Sequence, residues 1–219
     1  MSLSTAKIGE GIYTVSDMAR IFRLDNNRRV RYLFKQYMQT KLEESSNHRF
    51  FFGEKKKFVN FETLIHLYVF LELNERGIKY RGIFEAYESL SEQLDTPYPF
   101  TNVILSTQGN KIIADIDNFV FTADKKKQGY LKEIIIPLAK KVEYADNEIT
   151  RFFPLGKRKS VVIDPRIQMG SPVLDGTRIN TKVIYQLHEA GENHKVISRM
   201  YNISTKQIRD AVEFYSNAA

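Results

Sequence analysis

The chain has no cysteine and no tryptophan, and only 6 prolines and 11 glycines among 219 residues. Without cysteine there is no disulfide, no thiolate nucleophile and no thiolate zinc centre. No stretch approaches the roughly 18 consecutive apolar residues of a membrane helix. Met1 to Gly11 carries no apolar run of the secretory kind, so a cytoplasmic protein without membrane association is expected. Metal patterns are scarce too. His48, His66, His188 and His194 form no ligand spacing such as H-E-x-x-H, and His66 is read as a core-edge or surface residue of its helix. Asp115 and Asp117 lie two apart, on one strand face, with Asp124 following. Paired carboxylates of this kind hold Mg²⁺ in nucleases, but a solvated hairpin end is the simpler reading. Gln108-Gly109-Asn110 is turn chemistry without P-loop spacing, and no serine has a neighbouring base motif. No enzyme, metal or cofactor is therefore expected.

What is present is a core-forming composition, 42% hydrophobic and 12% aromatic, and a charge that is unevenly placed. Eleven Lys and Arg residues lie between Arg20 and Lys57 against four acids, which accounts for the whole net charge of +7; the other 22 basic and 22 acidic residues cancel. A concentrated excess favours a localised polyanion-binding surface over a generally basic protein.

Thr14 and Asp17 have capping-box spacing ahead of a helical pattern at Val15, Met18, Ala19 and Phe22. Leu24 to Asn27 breaks it, and a second helix is expected from Arg28 to Gln39, its buried stripe Val30, Leu33, Phe34, Tyr37 and Met38. Arg28, Arg29, Arg31 and Lys35 lie largely off that stripe. Two short helices with a basic outer face fit a helix-turn-helix. Arg49 to Phe52, a Gly53-containing turn and Lys55-Lys56-Lys57 read as a hairpin wing suited to phosphates. Helices are then expected from Asn60 to Glu75 and from Tyr80 to Leu94. After Phe100 the texture is β-rich, with hairpins expected over 102–116 and 141–153 and a strand at Val161-Val162-Ile163. The end is helical again: Thr181 to Ala190, Asn193 to Tyr201, and a third helix opened by Ser204 and Gln207. Ile197, Met200, Ile203, Ile208, Val212 and Tyr215 are expected to pack together there. The last pair is another helix-turn-helix shape exposing Thr205, Lys206 and Arg209, either a second DNA surface or a partner-docking module.

Residues Ile12 to Gly77 resemble the MerR-type winged helix-turn-helix. The matching elements are Tyr13-Thr-Val-Ser-Asp-Met-Ala-Arg20, the basic second helix, the hairpin and Phe61-Glu-Thr-Leu64 opening a helix that ends in Arg76-Gly77. Val161 to Arg166, Gly170 to Val173, Gly176 to Ile179 and the helices to Tyr215 resemble family 433 of the domains of unknown function, which recurs in VapB-like antitoxins. The whole arrangement is similar to the larger members of that antitoxin group. The resemblance implies a PIN-type ribonuclease toxin as partner and repression of the chain's own promoter. In its signature, Asp164 and Pro165 favour a turn, Gly170 and Gly176 permit positive φ, Pro172 fixes a bend, and Thr177 and Arg178 precede the first helix. A structural role is the main reading of these residues, with partner docking beside it.

The expectation is an α+β chain in three parts: a winged helix-turn-helix with following helices (1–96), a β-rich linker or dimerisation domain (97–160) and a three-helix, helix-turn-helix-like domain (161–219). Asn27, Arg28, Arg29, Arg31, Lys35, Arg49, Lys55, Lys56 and Lys57 are the expected contacts to operator DNA, bound as a homodimer. The alternatives are a MerR-like regulator with a C-terminal interaction module and no toxin, and a metal-dependent nucleic-acid enzyme using Asp115 and Asp117.

Overall fold

The computed structural model describes residues 9–35, 58–75, 77–101, 140–145 and 148–216. Arg49, Lys55, Lys56 and Lys57 of the expected wing, the hairpin expected over 102–116 and the Asp115, Asp117 and Asp124 carboxylates lie outside these. The fold is α+β. Its described elements run α1 (Val15–Ile21), α2 (Arg28–Leu33), α3 (Phe61–Glu75), α4 (Tyr80–Leu94), β1 (Val142–Ala145), β2 (Glu148–Phe152), β3 (Val161–Val162), β4 (Val173–Leu174), α5 (Thr181–Glu189), α6 (His194–Tyr201) and α7 (Thr205–Ser216).

Local chemistry sets most helix starts. Thr14 Oγ1 accepts the backbone N–H of Asp17, and the Asp17 carboxylate accepts the N–H of Thr14, closing the box that opens α1. Asn60, Asn180 and Asn193 cap α3, α5 and α6 through their side-chain oxygens. Ser204 and Gln207 do the same reciprocally for α7. Each such cap satisfies a backbone donor that the helix itself leaves orphaned, at about 1 kcal/mol. Asn202, in the left-handed region at φ 52°, reverses the chain between α6 and α7. α2 is α-helical over Arg28–Leu33 and continues as a π-type turn at 34–35; the expected remainder, 36–39, lies outside the described residues.

α3 is the hub. Ten of the eleven residues from Phe61 to Leu71 are buried, on every side of the helix. A helix apolar all round needs neighbours all round. Phe22 of the turn after α1 meets Tyr68 on one side, and Phe152 of β2 meets the same ring at 5.2 Å. One hydrophobic cluster therefore runs from Met18 and Leu33 through α3 and α4 to Val142, Phe152, Ile163 and Phe214. A second, smaller cluster joins Leu174, Ile184, Ile197, Ile203, Ile208 and Ala211 of the C-terminal helices. Met200 is not part of it; it stands 64% exposed on α6, contrary to the expected packing, and Tyr215 packs against the larger cluster instead.

β1 and β2 form an antiparallel hairpin with a bulge at Glu143/Tyr144, and β3 pairs with β4. Phe152 and Ile163 exchange two backbone hydrogen bonds, at 2.9 and 2.8 Å, which link the two ribbons. Contacts thus cross the 160/161 position. β4 was not foreseen, because two residues between Pro172 and Gly176 carry no strand periodicity.

His66 departs most from its sequence reading. It is fully buried, with Phe70, Phe100, Tyr87 and Tyr98 rings 5.1–6.1 Å from its own. Burial pushes its pKa down to about 3. The unfolded chain takes up a proton near the ordinary imidazole value of about 6.5, while the native state does not. The stability tied to the neutral ring is therefore complete above that value and is lost as the pH falls toward 3. By linkage the loss at pH 5 is about 2 kcal/mol. His66→Leu is expected to remove this component. Urea midpoints of both proteins at pH 7 and pH 5 check it, and equal acid losses would refute the assignment.

Candidate nucleic-acid interface and C-terminal signature

Tyr13 and Val59 exchange reciprocal backbone hydrogen bonds of 3.0 Å. This bridge joins the segment entering α1 to the chain arriving at α3. Within that frame Arg28, Arg31 and Lys35 are exposed and spaced by three and four residues, which places them on one helical face. Their charge is uncancelled locally: none forms an ion pair among the described residues. Tyr32, 51% exposed, stands beside them with its ring 5.8 Å from that of Tyr80.

Arg29 does not join that face. Its guanidinium donates to Glu75 at 2.7 Å and to Asn74 at 3.5 Å, tying α2 to the end of α3. Expected among the DNA contacts, Arg29 is thus held in an ion pair and remains half-exposed. Asn27 is half-buried and makes no side-chain cap; Asn26 instead accepts the N–H of Arg28. No local pattern announces the Arg29 pairing, because its partner is 46 residues away.

The C-terminal signature is built around carboxylates. Asp164, 3% exposed, accepts the backbone N–H of Arg166 and both arms of its guanidinium at 2.8–2.9 Å. Burial alone would raise the Asp164 pKa; the Arg166 bonds and the nearby Arg151 overcome that and hold it below the usual carboxylate range. Arg151 bonds Glu143 at 2.8 Å and Asp175, and lies over the Phe153 ring at 5.1 Å. One side chain so joins β1, β2 and the turn after β4. Sequence reading passed over it, since its three acidic neighbours come from three separate segments.

Gly176 (φ +76°) turns the chain after β4, and Thr177 Oγ1 bonds the Leu174 carbonyl at 2.8 Å. Thr181 is buried against the Pro172 carbonyl. Arg178 is left exposed at a cleft of about 550 Å³ shared with Arg151, Asp164 and Arg166, and it has no ion pair among the described residues. Pro165 lies in the Asp164–Arg166 turn and is buried.

Gly170 has a tertiary reason. Gln168, Met169 and Gly170 are consecutive residues at positive φ. Met169 O accepts the Ile12 N–H at 3.1 Å, and the Tyr13 ring occupies the space a Gly170 side chain would need. The N-terminal segment is docked here on the signature.

Lys206, expected on a second DNA or partner surface, is engaged within the fold. It donates to the Arg158 carbonyl, Ser160 Oγ and Asp210 Oδ2 at 2.7–3.2 Å. Asp210, 3% exposed, also accepts the Ser160 N–H, so the lysine locks α7 to the loop before β3. Thr205 and Arg209 remain exposed.

Residues 161–215 match the model of DUF433, a protein family of unknown function. The chain is also 27% identical over 88 residues to a protein of Mycobacterium tuberculosis (strain ATCC 25618 / H37Rv) named as a candidate antitoxin, VapB45. That match spans 39% of this chain and 37% of the relative's length. The fold is similar to that in the X-ray crystal structure of Rv2018 from Mycobacterium tuberculosis, with a TM-score of 0.68 and 14% identity, over 91% of this chain and 96% of that one. At that identity the likeness concerns the fold alone. No helix among the described residues is long and apolar enough to cross a membrane.

Proposed function

We propose that this chain is a cytoplasmic antitoxin without catalytic activity that represses its own promoter and neutralises a PIN-type ribonuclease toxin by binding it. The observation that carries the DNA half is the exposed basic face of Arg28, Arg31 and Lys35, which form no ion pair among the described residues, on the helix pair α1–α2 beside the Tyr13–Val59 bridge. A MerR-type winged module over Ile12 to Gly77, with Lys55, Lys56 and Lys57 on phosphates, fits that frame. Helix residues then read bases and the wing sets register. Such a module alone offers little contact area, so a homodimer on a two-part operator is the working arrangement. The antitoxin half is supported by the likeness to a candidate antitoxin and by the family match over 161–215. Arg178 before α5 and Val196 and Met200 on α6 are exposed in the matched region and are available to a partner. A MerR-like regulator with no toxin shares the DNA half only.

The test has two arms. Replacing Lys55, Lys56 and Lys57 together with Ala is expected to weaken binding to all DNA and to flatten the log–log salt dependence by about 0.9 per lost phosphate contact. Unchanged binding to the native promoter would refute the wing. Co-expression with the neighbouring nuclease-like gene product is expected to yield a complex with suppressed RNA cleavage. A neighbour that cleaves RNA unhindered would leave the regulator reading standing alone.

A further inference from the structure

The turn between α5 and α6 sets two imidazoles face to face. His188 sits in the last turn of α5 and His194 opens α6. The His188 Nδ1 and the His194 Nε2 are 3.1 Å apart, with the ring planes tilted by 58°. Both residues are half-buried. Gly191, at φ +85°, and the Asn193 cap on the Lys195 N–H hold the turn that brings them together.

We propose that this pair is a binding site for a divalent transition-metal ion of the Cu²⁺, Ni²⁺ or Zn²⁺ class. Imidazole nitrogen is a favoured ligand for all three. Two nitrogens bound at about 2.0–2.1 Å lie about 3.3 Å apart on a tetrahedral ion and about 2.9 Å apart in a square arrangement. The observed separation falls between these. The ring that carries the shared proton shifts to its other tautomer, and both facing lone pairs turn to the ion. Water fills the remaining positions, since both rings reach the surface. Exposed Glu189 and Glu192 against Lys195 give the turn a negative balance that draws cations. No group of three or more metal-ligating side chains occurs among the described residues. Two protein ligands make this a weak, exchangeable site, far from a closed structural zinc centre. Occupied, it clips the end of α5 to the start of α6 and stabilises the C-terminal helices by mass action.

The experiment is a Cu²⁺ titration of the full chain at neutral pH, followed by electron paramagnetic resonance. One ion per chain is expected, with hyperfine structure from two nitrogens. His188→Gln and His194→Gln, each still able to hydrogen-bond across the turn, are each expected to lower the affinity at least tenfold. Zn²⁺ is expected to raise the thermal midpoint of the parent chain and not that of the variants. Affinity unchanged in either folded variant, or no binding at millimolar metal, overturns the site. If a variant fails to fold, the nitrogen count in the parent chain still decides, and a signal without two nitrogens overturns it.

Discussion

Replacing Arg28, Arg31 and Lys35 together with Ala is expected to lower affinity for the promoter by on the order of 10²- to 10⁴-fold, at about 1–2 kcal/mol per contact. The three project from one face and have no competing carboxylate among the described residues, so removing them leaves no stranded partner and little change in stability. The salt dependence should flatten by about 0.9 for each of the three that touches phosphate. Arg29→Ala serves as the internal control. Its side chain is half-exposed and bonded to Glu75, and a pair of that exposure contributes about 1 kcal/mol or less. Its loss is expected to loosen α2 and lower the urea midpoint slightly, with the salt slope kept. Gel-shift or anisotropy titrations at several salt concentrations read both effects. A triple variant that binds as well as the parent would remove α2 from the interface; an Arg29 variant that flattens the slope like the others would return Arg29 to it.

Gly170→Ala is expected to be strongly destabilising. Gly170 has φ +84°, where a side chain is strained, and its Cβ would land on the Tyr13 hydroxyl. Gly191 has a nearly equal φ, +85°, but open space around its Cβ. Gly191→Ala therefore measures the backbone strain alone, about 1 kcal/mol. Gly170→Ala adds displacement of a ring that is 1% exposed, and about 3–5 kcal/mol in total is expected. In a Tyr13→Leu background the colliding atoms are gone. The cost of Gly170→Ala should then fall to roughly that at Gly191, a coupling of about 2 kcal/mol or more. Chemical denaturation of the four proteins of this cycle checks it. Equal costs at Gly170 and Gly191 in the parent chain would mean that Tyr13 does not hold the N-terminal segment to the signature.

The helix starts were legible because they are local. Thr14 with Asp17 and Ser204 with Gln207 bond across three residues, and those bonds form wherever the helix does. The β1–β2 hairpin was legible for the same reason. His66 was not, because helical periodicity marks a stripe and α3 has none: it is buried on all sides. Gly170 was read correctly as a positive-φ glycine, but the stronger constraint, the Tyr13 ring, comes from 157 residues earlier in the chain.

The same division holds for the candidate interfaces. That all the net charge lies between Arg20 and Lys57 follows from residue identities alone, since charge is counted without coordinates. Which residues cap, turn and end the helices follows in the same way, since those bonds close over a few residues. Which cations sit against a carboxylate follows from long-range packing. Arg29 is taken by Glu75, Lys206 by Asp210 and Arg166 by Asp164, while Arg28, Arg31 and Arg178 remain exposed and without an ion pair among the described residues. An arginine's charge is written in its side chain, but whether that charge is spent inside the protein depends on where the fold brings the nearest carboxylate.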